Sequence, residues 1–250
     1  MSLATPEAFR RDPSKVWQFY HYRRQVCLSA QPNGAHRTLS WLGSPEAKKQ
    51  VWAAAQSDFR LITQNVDGLS KRSNHSLKRS QDRSSGSGGE IKVADPMEMH
   101  GSLFRTRCTS CGTTRDNFDS PICQWLAGSE DLSKPLTDLP LTQLPRCSKD
   151  DGGCGGLLRP AVVWFGESIP LLDQIYPRIE QCDLLLVLGT SSTVYPAAGF
   201  ASQVQAQGGK VAVFNLQQDG SEDADYFFEG KVEVTLPEAL GLRPGATDDA

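Results

Sequence analysis

The stretch D-L-L-L-V-L-G-T-S-S, residues 183–192, decides the fold. A continuous apolar run bounded by an acid and a glycine is the kind of strand that a parallel sheet buries on both faces. Small and hydroxyl-bearing residues follow, and then a helical stretch over 195–207. Strand, small-residue turn and helix together let backbone N–H groups and hydroxyls approach a phosphate or a ribose. Gly189, Thr190 and Ser191 are therefore the first candidate binding residues. Working outward, 210–215 and 231–236 repeat the strand signal, and the first closes on a polar residue, Asn215. Residues 161–165 form another apolar strand running into Gly166 and Glu167. A short β-prone run at 59–63 breaks into Gln64, Asn65, Val66, Asp67 and Gly68. Polar amides at strand ends are where open α/β sheets place their ligands. The alternation predicts an α/β fold, a doubly wound, Rossmann-like parallel sheet with a small zinc-binding module inserted. The glycine runs at 86–89 and 152–156 follow no strand and open no helix, so they read as loops.

The module is signalled by E-M-H-G-S-L-F-R-T-R-C-T-S-C, residues 98–111. His100 is the candidate general base, since a histidine can exchange a proton near neutral pH. Cys108 and Cys111 are half of a candidate metal site. Taken singly, a histidine is more often structural and a C-x-x-C also fits a redox pair. Cys147 and Cys154 supply the other half: C-x2-C, about 35 residues, then C-x6-C. Four thiolates enclose one Zn²⁺ tetrahedrally with no open position, which marks a structural rather than a catalytic ion. Cys27, Cys123 and Cys182 lack such partners and read as plain thiols. The module spans 101–160, with the Leu- and Pro-rich 126–145 as a loop inside it.

Composition narrows the class. The chain has 250 residues, 38% of them hydrophobic, enough for one large domain with an insert. Its net charge of −3 gives no pull toward nucleic acid or an anionic membrane, and no apolar run of membrane-spanning length occurs. Seven cysteines without an apolar leader argue for a reducing compartment. Residues 70–97 lack any apolar period and read as a flexible insertion, which leaves His75 without a role. The first 14 residues read as turns, and a helix is expected from Lys15 onward. Tyr20 and Arg23, three apart, share a face of that helix and could together hold a carboxylate. The plainer reading of the same residues is a solvated face over a buried Trp17. Asn33 is expected to cap a helix through Leu39 and Trp41, with His36 structural.

T-Q-N-V-D at 63–67, M-H-G-S at 99–102, the four cysteines, V-V-W-F-G-E at 162–167, G-T-S-S at 189–192 and V-F-N at 213–215 occur in the order found in sirtuins. The chain resembles that family of NAD-dependent protein-lysine deacylases. A-T-P near Ala4 and F-Y-H-Y-R-R further resemble the class III, mitochondrial-type members that remove succinyl, malonyl and glutaryl groups, and acetyl weakly. The resemblance implies that His100 is the catalytic base and that Asn65 and Asp67 position the nicotinamide ribose and amide. It also implies NAD contacts from Gln64, Val66, Gly189, Thr190, Ser191, Asn215, Leu216, Gln217 and Val232. Tyr20 and Arg23 would hold the acyl carboxylate, and Ala4 would leave room for it. Val163, Phe165 and Gly166 would pair with the substrate backbone by strand addition. The products implied are nicotinamide, free lysine and O-acyl-ADP-ribose; the bound groups are NAD and one structural zinc ion.

Sirtuins also carry a G-A-G-x-S turn and a G-I-P-x-F-R segment, which do not occur in these 250 residues. The expectation is an N-terminally incomplete deacylase domain over 1–250 that folds poorly and turns NAD over slowly. The alternative function is a non-catalytic acyl-lysine binding or interaction protein on a sirtuin scaffold. A zinc-ribbon nucleic-acid binder is the reading from a third class, opposed by the acidic balance. The expected partners are acylated-lysine proteins, with neither nucleic acid nor membrane, and the expected state is a monomer. The family's habit points to the mitochondrion, with cytosol as the other compartment.

Overall fold

A computed structural model describes residues 3–51, 58–85, 93–150, 152–218 and 223–242. The chain divides into two compact units. The first comprises Met1–Gln31, Ile62–Leu69 and Met97–Pro170; the second comprises Pro32–Leu61, Ser70–Pro96 and Leu171–Ala250. Among the described residues no helix is long and apolar enough to cross a membrane.

The first unit opens with helices α1 (Pro6–Arg11) and α2 (Pro13–Ser29). The residues expected to be turns are helix starts. Thr5 accepts the Ala8 N–H and Asp12 accepts the Lys15 N–H, each followed by proline at the first helical position. A proline there loses only an N–H that has no helical partner. Strands β1 (Ile62–Thr63) and β2 (Met97–Glu98) form a parallel pair. Strands β3 (Gly101–Cys108), β4 (Thr114–Asp116) and β5 (Leu158–Val162) form an antiparallel sheet in the order β4-β3-β5. The strand expected at 161–165 is thus shifted toward the N-terminus and antiparallel. The cause is local: the chain returns through the second cysteine pair, which sets Leu158 opposite Cys108. Phe9, Val16, Trp17, Tyr20, Leu103, Val162 and Trp164 are buried together as this unit's core.

The second unit contains α3 (Gly34–Leu42), α4 (Pro45–Gln50), α5 (Leu69–Ser85) and α6 (Leu172–Glu180). Strand β6 (Leu184–Leu188), α7 (Phe200–Ala206), β7 (Lys210–Asn215), β8 (Tyr226–Glu229) and α8 (Val232–Ala239) complete it. The three strands are parallel in the order β6-β7-β8, so the Rossmann-like α/β architecture stands. Asn33 caps α3 as expected, and His36 closes the capping box from the other side.

Three expectations are corrected here. The flexible insertion is, over Leu69–Ser85, helix α5. Its buried face carries Ser73 and Asn74 beside Leu77, and polar bonds help to hold it: Ser40 to Ser73 at 2.9 Å and Asn74 to the Ala94 carbonyl at 3.1 Å. The rest of that insertion at 86–92, with its glycine run, lies outside the described residues, as does the tail after Leu242. The strand expected at 231–236 is helix α8, because Val232, Leu236 and Leu240 also repeat every four residues and pack with Phe214 of β7. The run at 183–188 is not buried on both faces: β6 pairs only with β7 among the described residues, and Leu184 is 47% exposed.

Candidate functional site

The first unit gathers His100, Gln64, Val163, Phe165, Ala4 and Tyr20 into one connected patch. His100 follows β2 in a tight turn, and its Nδ1 lies 3.2 Å from the Gln64 carbonyl oxygen. A carbonyl only accepts, so Nδ1 carries the proton and Nε2 is left with its lone pair free. That is the tautomer of a general base. The His100 carbonyl accepts the Val163 N–H at 2.8 Å, and the Ala4 carbonyl accepts the Phe165 N–H at 3.0 Å. Trp164, between them, donates its backbone N–H to Glu167 Oε2 at 2.8 Å. Every backbone donor from Val163 to Phe165 is therefore already committed. Among the described residues the next N–H along, that of Gly166 at φ +85°, has no backbone partner. Phe165 is 66% exposed.

Next to His100, Asn65 is exposed while Val66 is tied into the fold, its carbonyl accepting the Leu103 N–H. Asp67 spends Oδ1 on the Leu69 N–H at 2.8 Å, fixing the start of α5. Its Oδ2 has no partner among the described residues.

Tyr20 and Arg23 both sit on α2, but in different surroundings. Tyr20 is 2% exposed, and its hydroxyl accepts the Trp164 Nε1–H at 2.8 Å. Burial raises its phenol above the ordinary value, against the lowering effects of the Trp164 bond and of the Arg23 and Arg159 charges. Arg23 is half-buried, and its guanidinium lies 5.8 Å from the Phe19 ring centre. No carboxylate pairs with it among the described residues. Sequence reasoning missed its neighbour: Arg24 is 1% exposed and donates to the carbonyls of Leu103, Asn117 and Asp119 and to Asn117 Oδ1. Burial lowers its guanidinium to about 10, with Asp119 opposing. Also unforeseen is the brace behind Trp164, in which Arg159 lies 3.4 Å over the indole and grips Glu167 with both terminal nitrogens, at 2.6 and 2.8 Å. Burial pushes the Glu167 carboxyl up, but the bonds from Arg159 and the Trp164 N–H hold it below its ordinary value. Nothing in the composition of 157–167 signalled this.

Cys108, Cys111, Cys147 and Cys154 present their sulfurs within 4.8 Å of one another. Backbone N–H groups of Ser110 and Cys111 point at Cys108 Sγ, and that of Gly156 points at Cys154 Sγ. Such donors favour thiolate over thiol, although at Cys154 the Gly156 N–H is outweighed by the neighbouring Cys108 and Cys111 sulfurs, which raise its pKa. Bonds from the Thr113 hydroxyl and backbone lower Cys111 to about 6. Glycine is required at 153 and 156, where a Cβ would lie 2.5 Å from Cys147 Sγ and 2.9 Å from Cys108 Sγ. The donor set fits a closed tetrahedral zinc site. The other three cysteines form no disulfide.

In the second unit, the C-terminal ends of β6 and β7 bring the remaining candidates together. Gly189 turns at φ +56° and donates its N–H to the Phe214 carbonyl at 2.9 Å. Asn215 donates Nδ2–H to the Thr190 carbonyl at 3.0 Å, joining the two strand ends. Val232 lies against the Gly189 backbone, where an added Cβ would meet its Cγ2 at 3.5 Å. Ser191, Leu216 and Gln217 are exposed. The small turn, the hydroxyls and the amide suit a ribose and its phosphates.

The chain as a whole is similar to known proteins. The Sir2 family model matches residues 1–196. The mitochondrial NAD-dependent protein deacylase sirtuin-5 of Xenopus tropicalis is 45% identical, over 95% of this chain and 70% of that protein. An NAD-dependent protein deacylase of Thermococcus kodakarensis is 38% identical, over 95% of this chain and 77% of its own length. Among solved structures, a Sir2 homolog–NAD complex superposes with a TM-score of 0.71 and 33% identity, covering 96% of this chain and 75% of the other. A Sir2 homologue mutant with ADP-ribose gives 0.69 and 31%, covering 96% and 77%. The chain belongs to the Sir2 family of sirtuins.

Proposed function

We propose that this sirtuin is an NAD-dependent protein-lysine deacylase whose preferred acyl groups end in a carboxylate: succinyl, malonyl and glutaryl ahead of acetyl. The observation that carries the catalytic part is the His100 Nδ1 contact with the Gln64 carbonyl, which leaves Nε2 as the base. When bound, NAD supplies the ribose carbon that receives the acyl oxygen, and nicotinamide is the leaving group. His100 Nε2 takes a proton from a ribose hydroxyl. Asn65 and the open Oδ2 of Asp67 orient the nicotinamide ribose and amide, with Gln64 and Val66 as further NAD contacts. Gly189, Thr190, Ser191, Asn215, Leu216, Gln217 and Val232 hold the rest of the dinucleotide. One water is consumed, and nicotinamide, free lysine and O-acyl-ADP-ribose are the products.

Acyl choice rests on Arg23, a cation that lacks a carboxylate partner among the described residues, and on the Tyr20 hydroxyl one helical turn away. The small side chain of Ala4, whose backbone carbonyl binds Phe165, would leave room for the acyl group. The protein substrate lies along Val163, Phe165 and Gly166. Zinc, held by Cys108, Cys111, Cys147 and Cys154, is structural and takes no part in the chemistry. The compartment is the mitochondrion, which the name of the Xenopus relative supports. The test is nicotinamide release from NAD with a succinyl-lysine peptide. Turnover lost in His100→Ala is the expected result. Peptide binding without nicotinamide release would instead favour the non-catalytic acyl-lysine reader.

A further inference from the structure

We infer that Trp164 is a positioning residue for acyl selectivity, because its indole N–H fixes the hydroxyl of Tyr20 as a hydrogen donor toward the ligand. The inference rests on the reading that Tyr20 and Arg23 receive the acyl carboxylate. An indole N–H can only donate, so in the 2.8 Å contact the phenol oxygen must accept. The single phenolic hydrogen is thereby turned away from Trp164. No acceptor for it exists among the described residues, although Tyr20 is 2% exposed. A buried donor left in this state is costly until an acceptor arrives, and a carboxylate is the acceptor that Arg23 would also attract. An acetyl group brings no such oxygen to that position.

Trp164 is itself held by three contacts, two on its ring and one on its backbone. Arg159 lies 3.4 Å over its face, Glu167 takes its backbone N–H, and Phe9 packs at 5.4 Å between ring centres. Arg159 is bound to Glu167 by both terminal nitrogens, so the brace is closed on itself. The phenol remains protonated, since burial raises its pKa. Tyr20 thus meets the ligand as a donor of fixed direction rather than as a freely turning hydroxyl.

The experiment compares peptide affinity by calorimetry, using succinyl-lysine and acetyl-lysine versions of one sequence. Trp164→Phe removes the N–H and keeps a ring for Arg159. Replacement by 3-benzothienylalanine exchanges the N–H for sulfur at nearly constant shape, and serves if the phenylalanine variant folds poorly. The expected result is a fall of about tenfold in the ratio of succinyl to acetyl affinity, the size of one charge-assisted hydrogen bond. In a Tyr20→Phe background, the same change should lower the ratio no further. Equal weakening of both peptides, or losses that multiply with Tyr20→Phe, would mean that Trp164 only supports the fold. If Tyr20→Phe leaves the ratio intact, the carboxylate site itself is misassigned; if it lowers the ratio and loss of the indole N–H does not, only the present inference falls.

Discussion

His21 Nε2 lies 3.1 Å from Glu130 Oε2, although the histidine is wholly buried in α2 and the glutamate is 43% exposed on the long loop of the zinc module. Burial lowers the His21 pKa below its ordinary 6.5, and the Glu130 carboxylate only partly opposes this. The native imidazole is therefore neutral, with Nε2–H donating to Glu130, and its Nδ1 has no partner among the described residues. Unfolding frees the histidine to bind a proton near its ordinary pKa. Stability is then complete above about pH 6.5 and declines as pH falls through that value toward the lower native pKa. Melting temperatures measured from about pH 7.5 to 5 should show this decline, and His21→Gln should flatten it. A wild-type profile that rises on acidification would contradict the assignment.

Adjacent arginines should behave oppositely. Arg24→Met removes a buried guanidinium and its four hydrogen bonds to carbonyl and amide oxygens, that of Leu103 being buried, and should destabilise the protein by about 3 kcal/mol or more. Arg23→Met should shift stability by less than about 0.5 kcal/mol. Chemical denaturation of the two variants side by side checks both statements.

Arg23→Met should instead lower desuccinylation relative to deacetylation by about 10- to 100-fold, the worth of a charge-assisted bond to a carboxylate. The ratio of kcat/KM for the two acyl peptides reads it directly. Parallel loss of both activities would remove the arginine from acyl selection.

One zinc ion per chain is expected on metal analysis. Stripping it with a chelator should unfold the β3-β4-β5 sheet, because the ligands and the fold form together. Cys147→Ser should reproduce the effect, and Gly153→Ala should weaken zinc retention, since the added methyl carbon would fall 2.5 Å from Cys147 Sγ. Full thermal stability in the metal-free protein would refute this role.

The sequence was informative wherever chemistry needs fixed spacing. The four cysteines meet, and the β6 turn and the end of β7 meet through Gly189, Thr190 and Asn215. It misled where polar bonds supplement apolar contacts. Helix α5 is anchored by Ser73, Asn74 and Leu77, so no apolar period betrays it. Period-two and period-four patterns coincide in V-E-V-T-L, and α8 took the second. One legible signal was passed over: Thr5-Pro6, Asp12-Pro13 and Ser44-Pro45 each set a capping side chain before a proline, and each starts a helix. Arg24 was invisible because its partners are remote in sequence and mostly backbone carbonyls. The Arg159–Glu167 brace is local, but its spacing of eight residues matches no regular strand or helix period that would single it out.

The committed N–H groups of Val163, Trp164 and Phe165 bear on which lysines such a surface can read and how it could be blocked. A guest strand docked there as proposed would find no open donor from Val163 to Phe165, so beyond the Gly166 N–H its grip would come from amide hydrogens that it brings itself. Proline beside the modified lysine would forfeit one of them. A peptide inhibitor should therefore lose more from methylating its own nitrogens than from altering its flanking side chains, and a walk of N-methyl groups along it would mark the contact points one at a time.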